Sequence, residues 1–471
     1  MKIYIEDLEK ARSIIRSRDV VIGVVGLGRV GLVVASAFLS KGFKVVGFDR
    51  DLERIYDELR LGGHVLHPEK KVREIIIRSY YDGLFSLAEL GREYAENVDV
   101  FIVIVPVPLS EGFADLRFIE DASRRIGSVM GRGSIVIVES SVPPGTTRGF
   151  VKNVLEESSG LRAGRDFGLA YSPERVSIGR AFDDLVFNYP KIVAGYDLLS
   201  LEIVSELYSE ISLRGVLKAS SLEVAELAKL FEGVYRDVNI ALANSLAEIS
   251  RLFGVDFWEV RELANSQPYS NIHAPGTGVG GVCLPYYPYF VLGSLKNLGG
   301  DCWCAEIIRL SRSINEFQPV RVVDMIVEGL NELGFKESDD LKISILGLSY
   351  RGDIPDSRES PTYRIVREFI SRGFRSIYVH DPFIERDLLL EGLGVVLSSD
   401  LGFVLRGSNI VLVSTDHSIY RGFTTDDIVR ISGSRSILIF DGRNVIKLGE
   451  GVRDQEVRCL YGGVGKTWVK C

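Results

Sequence analysis

The residues best suited to chemistry in this chain gather around one thiol. In NIHAPGTGVGGVCLPYYPYF, which starts at Asn271, glycines 276, 278, 280 and 281 precede Cys283, and Pro285 and Pro288 follow it. Glycine at this density marks backbone that turns tightly or lies against another group. A thiol held in such a loop can be exposed and oriented as a nucleophile. A second centre lies near the start of the chain, where Gly26, Gly28 and Gly31 form G-x-G-x-x-G. The first glycine permits the turn, the second lets backbone approach a pyrophosphate, and the third lets helix pack on strand. Asp49 ends the next apolar run. A carboxylate there accepts hydrogen bonds from ribose hydroxyls and repels a 2′-phosphate, which predicts NAD rather than NADP.

These residues need elements to hold them. VVIGVVGLGRVGLVVASAFLSKGFKVVGFD reads as strand, turn, helix and strand, with Arg29 and Val30 opening the helix and Arg29 able to pair with a phosphate. A short amphipathic helix is expected before it, over 5–18. Strands are expected at Val100–Val105, Ile135–Val138 and Gly168–Tyr171, alternating with helical patterns and so extending a parallel sheet. From Ser220 to Phe253 apolar residues recur at 224, 227, 228, 231, 235, 238, 242, 246, 249 and 253. That spacing predicts one long amphipathic helix, of a length that commonly packs on a partner chain. Lys229, Gly233 and Arg236 share a face of it. A helical stretch over 303–334 leads to a second strand–loop–helix–strand unit, LKISILGLSYRGDIPDSRESPTYRIVREFISRGFRSIYVHDPF. Its helix is expected at 362–372, with Gly373 closing it. NIVLVSTDH (409–417) and ILIFDGRNVI (437–446) supply further strands.

The motif PG-x-GVGG-x-C-x-P…PYF resembles the cysteine loop of the nucleotide-sugar 6-dehydrogenases. The similarity runs from about Val20 to Gly465 and is nearer the branch acting on UDP-N-acetylmannosamine or UDP-N-acetylglucosamine than to UDP-glucose dehydrogenase. It implies an α/β fold with two Rossmann-like parallel-sheet domains joined by a central helical dimerisation domain. Their expected ranges are 1–212 for NAD, 213–335 for the helices and cysteine loop, and 336–471 for UDP. VPVPL (105–109) resembles the family's VPTP, placing Pro106 and Val107 by the cofactor. ESSVPPGTT (139–147) carries Ser141, which the family uses to help hold the catalytic water. SPERV supplies Glu174 as acid–base and Arg175 as a substrate contact. The resemblance also implies Lys229 as the cation assisting deprotonation of the C6 hydroxyl. Arg236, Asn239, His273, Gly280, Arg351 and Arg443 are the further substrate contacts it implies, and Arg358 a cofactor contact. The implied reaction is two hydride transfers from C6 to NAD, through a thiohemiacetal and a thioester on Cys283, ending in a uronate. The implied assembly is a homodimer or a higher homo-oligomer.

The chain departs from the family pattern at several points. Gly233 stands for asparagine, Tyr287 for aspartate, Tyr269 for arginine and Ser245 for glutamate. Glycine inside a helix suggests either close approach of another group or decay of a site. A UDP-glucose dehydrogenase, or a nucleotide-sugar-binding relative with little turnover, stands as the alternative.

Composition narrows the rest. A net charge of −8 and a pI near 5.5 argue against nucleic-acid or membrane-surface partners. No apolar run approaches the roughly 18 residues of a spanning helix, and MKIYIEDLEK is too charged for a signal peptide, so a soluble cytoplasmic protein is expected. Five cysteines, odd in number and without CxxC, predict neither a disulfide framework nor a metal site. Cys302 and Cys304 are expected as buried small residues on a helix. GGVGKT (462–467) is not a P-loop, because Leu460 stands where the motif needs glycine.

Overall fold

A computed structural model describes residues 2–5, 7–61, 66–300, 302–335, 340–451 and 457–471. Two compact units divide it, Met1–Glu232 with Tyr289–Gly300, and Gly233–Pro288 with Asp301–Cys471. The division falls inside two helices, Leu222–Leu252 and Cys283–Asn297. Residue 6, within the expected 5–18 helix, and residues 336–339, at the expected start of the third domain, lie outside the described residues.

The first unit is built on eight strands, β1 (Val21–Val25), β2 (Lys44–Phe48), β3 (Phe85–Ala88), β4 (Val100–Val103), β5 (Ile135–Val138), β6 (Gly168–Tyr171), β7 (Lys191–Gly195) and β8 (Val216–Lys218). Their order is β8-β7-β6-β5-β4-β1-β2-β3, parallel except where β7 meets β6. VFIV and IVIV, in β4 and β5, are apolar at every position because both faces of the sheet are covered. Val100, Ile102, Ile135 and Ile137 enter one core, while Phe101, Val103, Val136 and Val138 enter another on the opposite face. The strand order reverses between β1 and β4, and at such a crevice ligands of open α/β sheets bind.

The second unit repeats the plan with β9 (Lys342–Leu346), β10 (Ser376–His380), β11 (Val396–Ser398), β12 (Ile410–Val413), β13 (Ser436–Asp441), β14 (Arg458–Gly463) and β15 (Lys466–Lys470). The order β11-β10-β9-β12-β13-β14 matches the first sheet's β3-β2-β1-β4-β5-β6, and an antiparallel β15 closes the edge. The likeness reaches single hydrogen bonds. Asp49, after β2, accepts from the Leu27 N–H at 2.7 Å, and Asp381, after β10, accepts from the Leu348 N–H at 2.9 Å.

The helices fall where periodicity puts them, at Leu8–Arg16, Leu222–Leu252, Glu306–Glu332 and Pro361–Ser371, the last followed by Gly373 at φ 97°. The strand expected to reach Val105 ends at Val103. Strands β3, β7, β8, β11, β14 and β15 had no clear sequence signal. GGVGKT spans the end of β14, the turn at Val464 and Gly465, and the start of β15. It clasps the start of helix Phe257–Asn265, with the Gly465 carbonyl accepting from the Phe257 N–H at 2.8 Å and the Val464 carbonyl from the Trp258 indole at 3.0 Å.

The cysteine expectation is corrected. Cys459 pairs with Cys471, which the β14–β15 hairpin sets opposite it, and Cys302 pairs with Cys304 in a short 3₁₀ turn ahead of the helix Glu306–Glu332. Cys304 is exposed rather than buried. Parity misled because the odd cysteine is the free one, Cys283. Among the described residues no helix is long and apolar enough to cross a membrane, and no cluster of His, Cys, Asp and Glu is placed to hold a metal.

Candidate active site

The dinucleotide turn obeys simple sterics. A Cβ on Gly26 would stand 2.2 Å from the Ile104 carbonyl oxygen, and one on Gly31 would stand 1.9 Å from the Gly26 carbonyl oxygen. Neither position tolerates a side chain. A Cβ on Gly28 would meet nothing within 4 Å, so this is the open face that a pyrophosphate needs at the start of the helix Arg29–Leu39. Arg29 and Val30 form its first turn, both partly buried. The Asp49 carboxylate, fixed by the N–H groups of Leu27 and Asp51, stands at the end of β2. The loop after β4 leaves Pro106 exposed and Val107 half-buried. Ser140 braces it, accepting from the Val105 N–H at 2.9 Å and donating to the Val105 carbonyl at 2.8 Å; Ser141 follows, half-buried. These residues fit NAD. Replacing Asp49 by alanine, or by asparagine to keep an acceptor for the turn, removes a charge that at about 4 Å would repel a 2′-phosphate by a few kcal/mol. The expected result is NADP binding tightened by about tenfold or more, read by titrating both dinucleotides. Wild-type protein that binds NADP as tightly as NAD contradicts it.

Glu174 is held by partners the sequence did not reveal. One carboxylate oxygen accepts from the N–H groups of Arg175 and Val176 at 2.6 and 3.0 Å. The other takes Lys191 Nζ at 2.6 Å, and the same ammonium lies 3.1 Å from Glu139. Tyr208 donates its hydroxyl to the second oxygen of Glu139. All four groups are buried. Burial pushes the Glu139 carboxyl up to about 7, with Glu174 adding to the rise and Lys191 opposing it. Glu174, also buried, is nevertheless held below the ordinary carboxylate range, by Lys191 first and then by the Arg175 N–H and Lys229. The closer ammonium and the two backbone donors decide which carboxyl stays charged. Arg175 spends its guanidinium on Glu232 at 2.8 Å and the Pro190 carbonyl at 2.6 Å, against the Tyr189 ring.

Glu226, one turn before Lys229 on the long helix, was also missed. Its carboxylate accepts from the N–H groups of Gly145 and Thr147 at 2.6 and 2.9 Å, tying the helix to the GTT turn. Burial raises its carboxyl to about 7, against those two donors.

In the second unit the glycines of the cysteine loop have individual reasons. A Cβ on Gly276 would stand 2.6 Å from Arg443 Nη1, and one on Gly280 2.6 Å from Tyr350 Cβ and 2.7 Å from the Glu359 carbonyl. Gly281, at φ 77°, lies on the Tyr350 ring and donates its N–H to the Arg358 carbonyl at 3.0 Å. The loop is thus pressed against GLSYRGDIPDSRESP. At its end Cys283, exposed, opens the helix Cys283–Asn297, where the first backbone N–H groups have no helical partner. Arg358, expected at the cofactor, belongs to this unit, and its guanidinium rests on Asp356 at 2.7 and 2.9 Å. Arg351, half-buried, stands seven residues earlier in the same loop.

Arg236, Asn239 and His273 come together at the other end of the loop. The Asn239 amide oxygen accepts from the His273 N–H at 2.9 Å, and its NH₂ donates to the Asn271 carbonyl at 2.8 Å. Burial lowers the His273 pKa, and the cations Arg236 and Arg261 lower it further. Arg443 is partly buried and donates from Nε to the Ser414 carbonyl at 2.8 Å. A cleft of about 820 Å³ bordered by Asp256, Trp258, Asn444 and Lys466 contains none of the expected site residues.

Three models of the UDP-glucose/GDP-mannose dehydrogenase family match, the NAD binding domain over 20–212, the central domain over 223–317 and the UDP binding domain over 344–448. The chain is 35% identical over 449 residues to the UDP-N-acetyl-D-mannosamine dehydrogenase of Pyrococcus horikoshii, covering 94% of this chain and 99% of that protein. A solved structure of UDP-D-ManNAc dehydrogenase from Pyrococcus horikoshii superposes with a TM-score of 0.82 at 34% identity, over 94% of this chain and 99% of the other. A solved NDP-N-acetyl-D-galactosaminuronic acid dehydrogenase from Methanosarcina mazei Go1 gives 0.81 at 30% identity, with 98% of each covered.

Proposed function

This chain belongs to the UDP-glucose/GDP-mannose dehydrogenase family, and from that premise we propose that it oxidises C6 of a UDP-N-acetylhexosamine to the uronate. UDP-N-acetylmannosamine and UDP-N-acetylglucosamine are the candidate substrates. The observation that carries this reading is the single free thiol, Cys283, exposed at a helix start in a glycine loop shaped to its neighbours.

NAD, held at Gly26, Gly28, Gly31 and Asp49, supplies the acceptor for a hydride at each of two oxidations. Lys229 stabilises negative charge as the C6 hydroxyl gives up its proton. The aldehyde carbon is then attacked by the Cys283 thiolate, forming a carbon–sulfur bond and a thiohemiacetal. Loss of a second hydride and a proton leaves a thioester. Water completes the reaction, breaking that bond and releasing thiol and uronate. Glu174, kept ionised by Lys191 and two backbone donors, is the base for this water, with Ser141 in support. Arg175, Arg236, Asn239, His273, Gly280, Arg351 and Arg443 are the substrate contacts of this reading, and Pro106, Val107 and Arg358 further cofactor contacts. The test is NADH formation across a panel of UDP-sugars, with product counted. Two NADH per UDP-N-acetylhexosamine support the proposal, whereas oxidation of UDP-glucose alone assigns the enzyme to the other branch.

The same reading makes the enzyme a homodimer. Val224, Phe231, Tyr235, Leu242, Ile249 and Phe253 are each about half exposed or more, and at steps of seven and four they form one line along the helix. Such a line is suited to a two-fold contact with itself. Leu242→Asp is expected to yield monomers by sedimentation while leaving the fold intact. A wild-type chain that sediments as a monomer at micromolar concentration refutes the dimer.

A further inference from the structure

Two departures from the family pattern, Gly233 and Tyr287, are one structural feature. A Cβ on Gly233 would stand 2.4 Å from Tyr287 Cδ2 and 3.2 Å from both its Cβ and its Cγ. The colliding atoms are the root of the tyrosine side chain, which cannot swing aside as a flexible tip would. Tyr287 is only 8% exposed, and Gly233 is buried in the middle of the long helix. Glycine weakens a helix interior, so this position carries a cost that only the close approach of another group explains. The ring is that group. Tyr287 lies four residues after Cys283 on the helix Cys283–Asn297, and residues four apart share a helix face. The side chain lodged in the notch therefore belongs to the turn directly behind the thiol.

We propose that Tyr287, seated in the notch at Gly233, is a positioning residue for Cys283, holding the first turn of the cysteine helix against the long helix. The inference deepens the dehydrogenase reading, because the thiol it positions is the nucleophile of that reading. An asparagine and an aspartate at the two positions would meet through polar groups. A tyrosine with an asparagine would collide, and an aspartate with a glycine would leave a gap. Pro288, inside the same helix, removes a backbone donor immediately after Tyr287, which leaves side-chain packing more of the task of anchoring that turn.

The test is a cycle of Gly233→Ala, Tyr287→Ala and the double variant, made in the full chain without reductant. Thermal midpoints and the rate of Cys283 alkylation by iodoacetamide are read by fluorescence and intact-mass spectrometry. Cys283 is the one free thiol, so the alkylation reports on it alone. Gly233→Ala is expected to lower the midpoint when Tyr287 is present. In the Tyr287→Ala background it is expected to raise it, because alanine is the better helix former once the ring is gone. Tyr287→Ala is expected to change the alkylation rate and to lower kcat by on the order of 10²-fold, the cost of a misplaced reacting group, with KM little moved. Tyr287→Phe keeps the ring and is expected to restore both. A Gly233→Ala effect of the same sign in both backgrounds, or a Tyr287→Ala chain whose thiol reacts at the wild-type rate, overturns the proposal. Absence of NADH from every UDP-sugar would count against the substrate reading instead, since the midpoint and alkylation arms need no turnover.

Discussion

Replacing Cys283 by alanine is expected to lower uronate formation by on the order of 10⁴-fold or more, because no other group in the site can form the thioester. The loss should be confined to chemistry. The NAD contacts at Gly26, Gly28 and Asp49 belong to the other unit, and Arg443 and Tyr350 keep their places against the loop glycines. NAD and UDP-sugar binding by calorimetry should therefore survive. Cys283→Ser should bind equally well and accumulate an ester on the serine, visible by mass spectrometry, since an alkoxide leaves less readily than a thiolate. In the unsubstituted enzyme the quenched steady state should carry a uronyl adduct on Cys283. A thiol count adds an independent check. Unfolded without reductant, the wild-type chain should show one reactive thiol and the alanine variant none, because the other four cysteines are paired. An alanine variant with wild-type turnover would end the thioester mechanism outright.

Lys191→Met is expected to destabilise the first unit strongly. It leaves Glu139 and Glu174 buried together with no cation between them, a loss typically worth about 3–5 kcal/mol. The pH dependence identifies the cause. Glu174 is held below its ordinary range in the native protein, so its contribution is present above the unfolded value of 4.5 and is lost only as pH falls below that. Glu139, raised to about 7, contributes stability that is present below 4.5 and is lost as pH rises through 7. Without Lys191 both carboxyls rise, so the variant loses stability across the neutral range where the wild type retains that of Glu174. Denaturation midpoints of the two proteins should lie closest near pH 5 and diverge toward pH 8. The acid limb of kcat should also move to higher pH, because Glu174 must then lose a proton before it can act as base. Lys191→Met combined with Glu139→Gln should recover part of the stability, since one buried charge has gone. A difference that is constant with pH would assign Lys191 a packing role only.

Much of this architecture is local in origin and was legible for that reason. VFIV and IVIV are apolar at every position, and only a sheet covered on both faces accommodates such strands. The glycine turn is determined by contacts inside a few residues, as the 1.9 Å approach to the Gly26 carbonyl at Gly31 illustrates. The order of patterns along the chain, strand and helix alternating on either side of a long amphipathic stretch, already implied the two sheets. The thiol and its glycines were legible too, although the reason for each glycine was not, because Arg443, Tyr350 and Glu359 come from a distant part of the chain.

Long-range partners were decided only by the fold. Lys191, in a strand with no clear sequence signal, reaches carboxylates 17 and 52 residues away, and Tyr208 reaches Glu139 across 69. No periodicity announces such a cluster, since each member contributes one side chain to a buried centre. The disulfides were hidden by arithmetic, because a free nucleophile makes an even set odd. Gly233 and Tyr287 read separately as losses, an amide gone and a carboxylate gone, with site decay as one explanation. Packed together, the ring fills the volume that the missing Cβ vacates. Sequence alone determined which residue types stand at these positions, whereas their meeting depended on two helices brought within contact by tertiary packing.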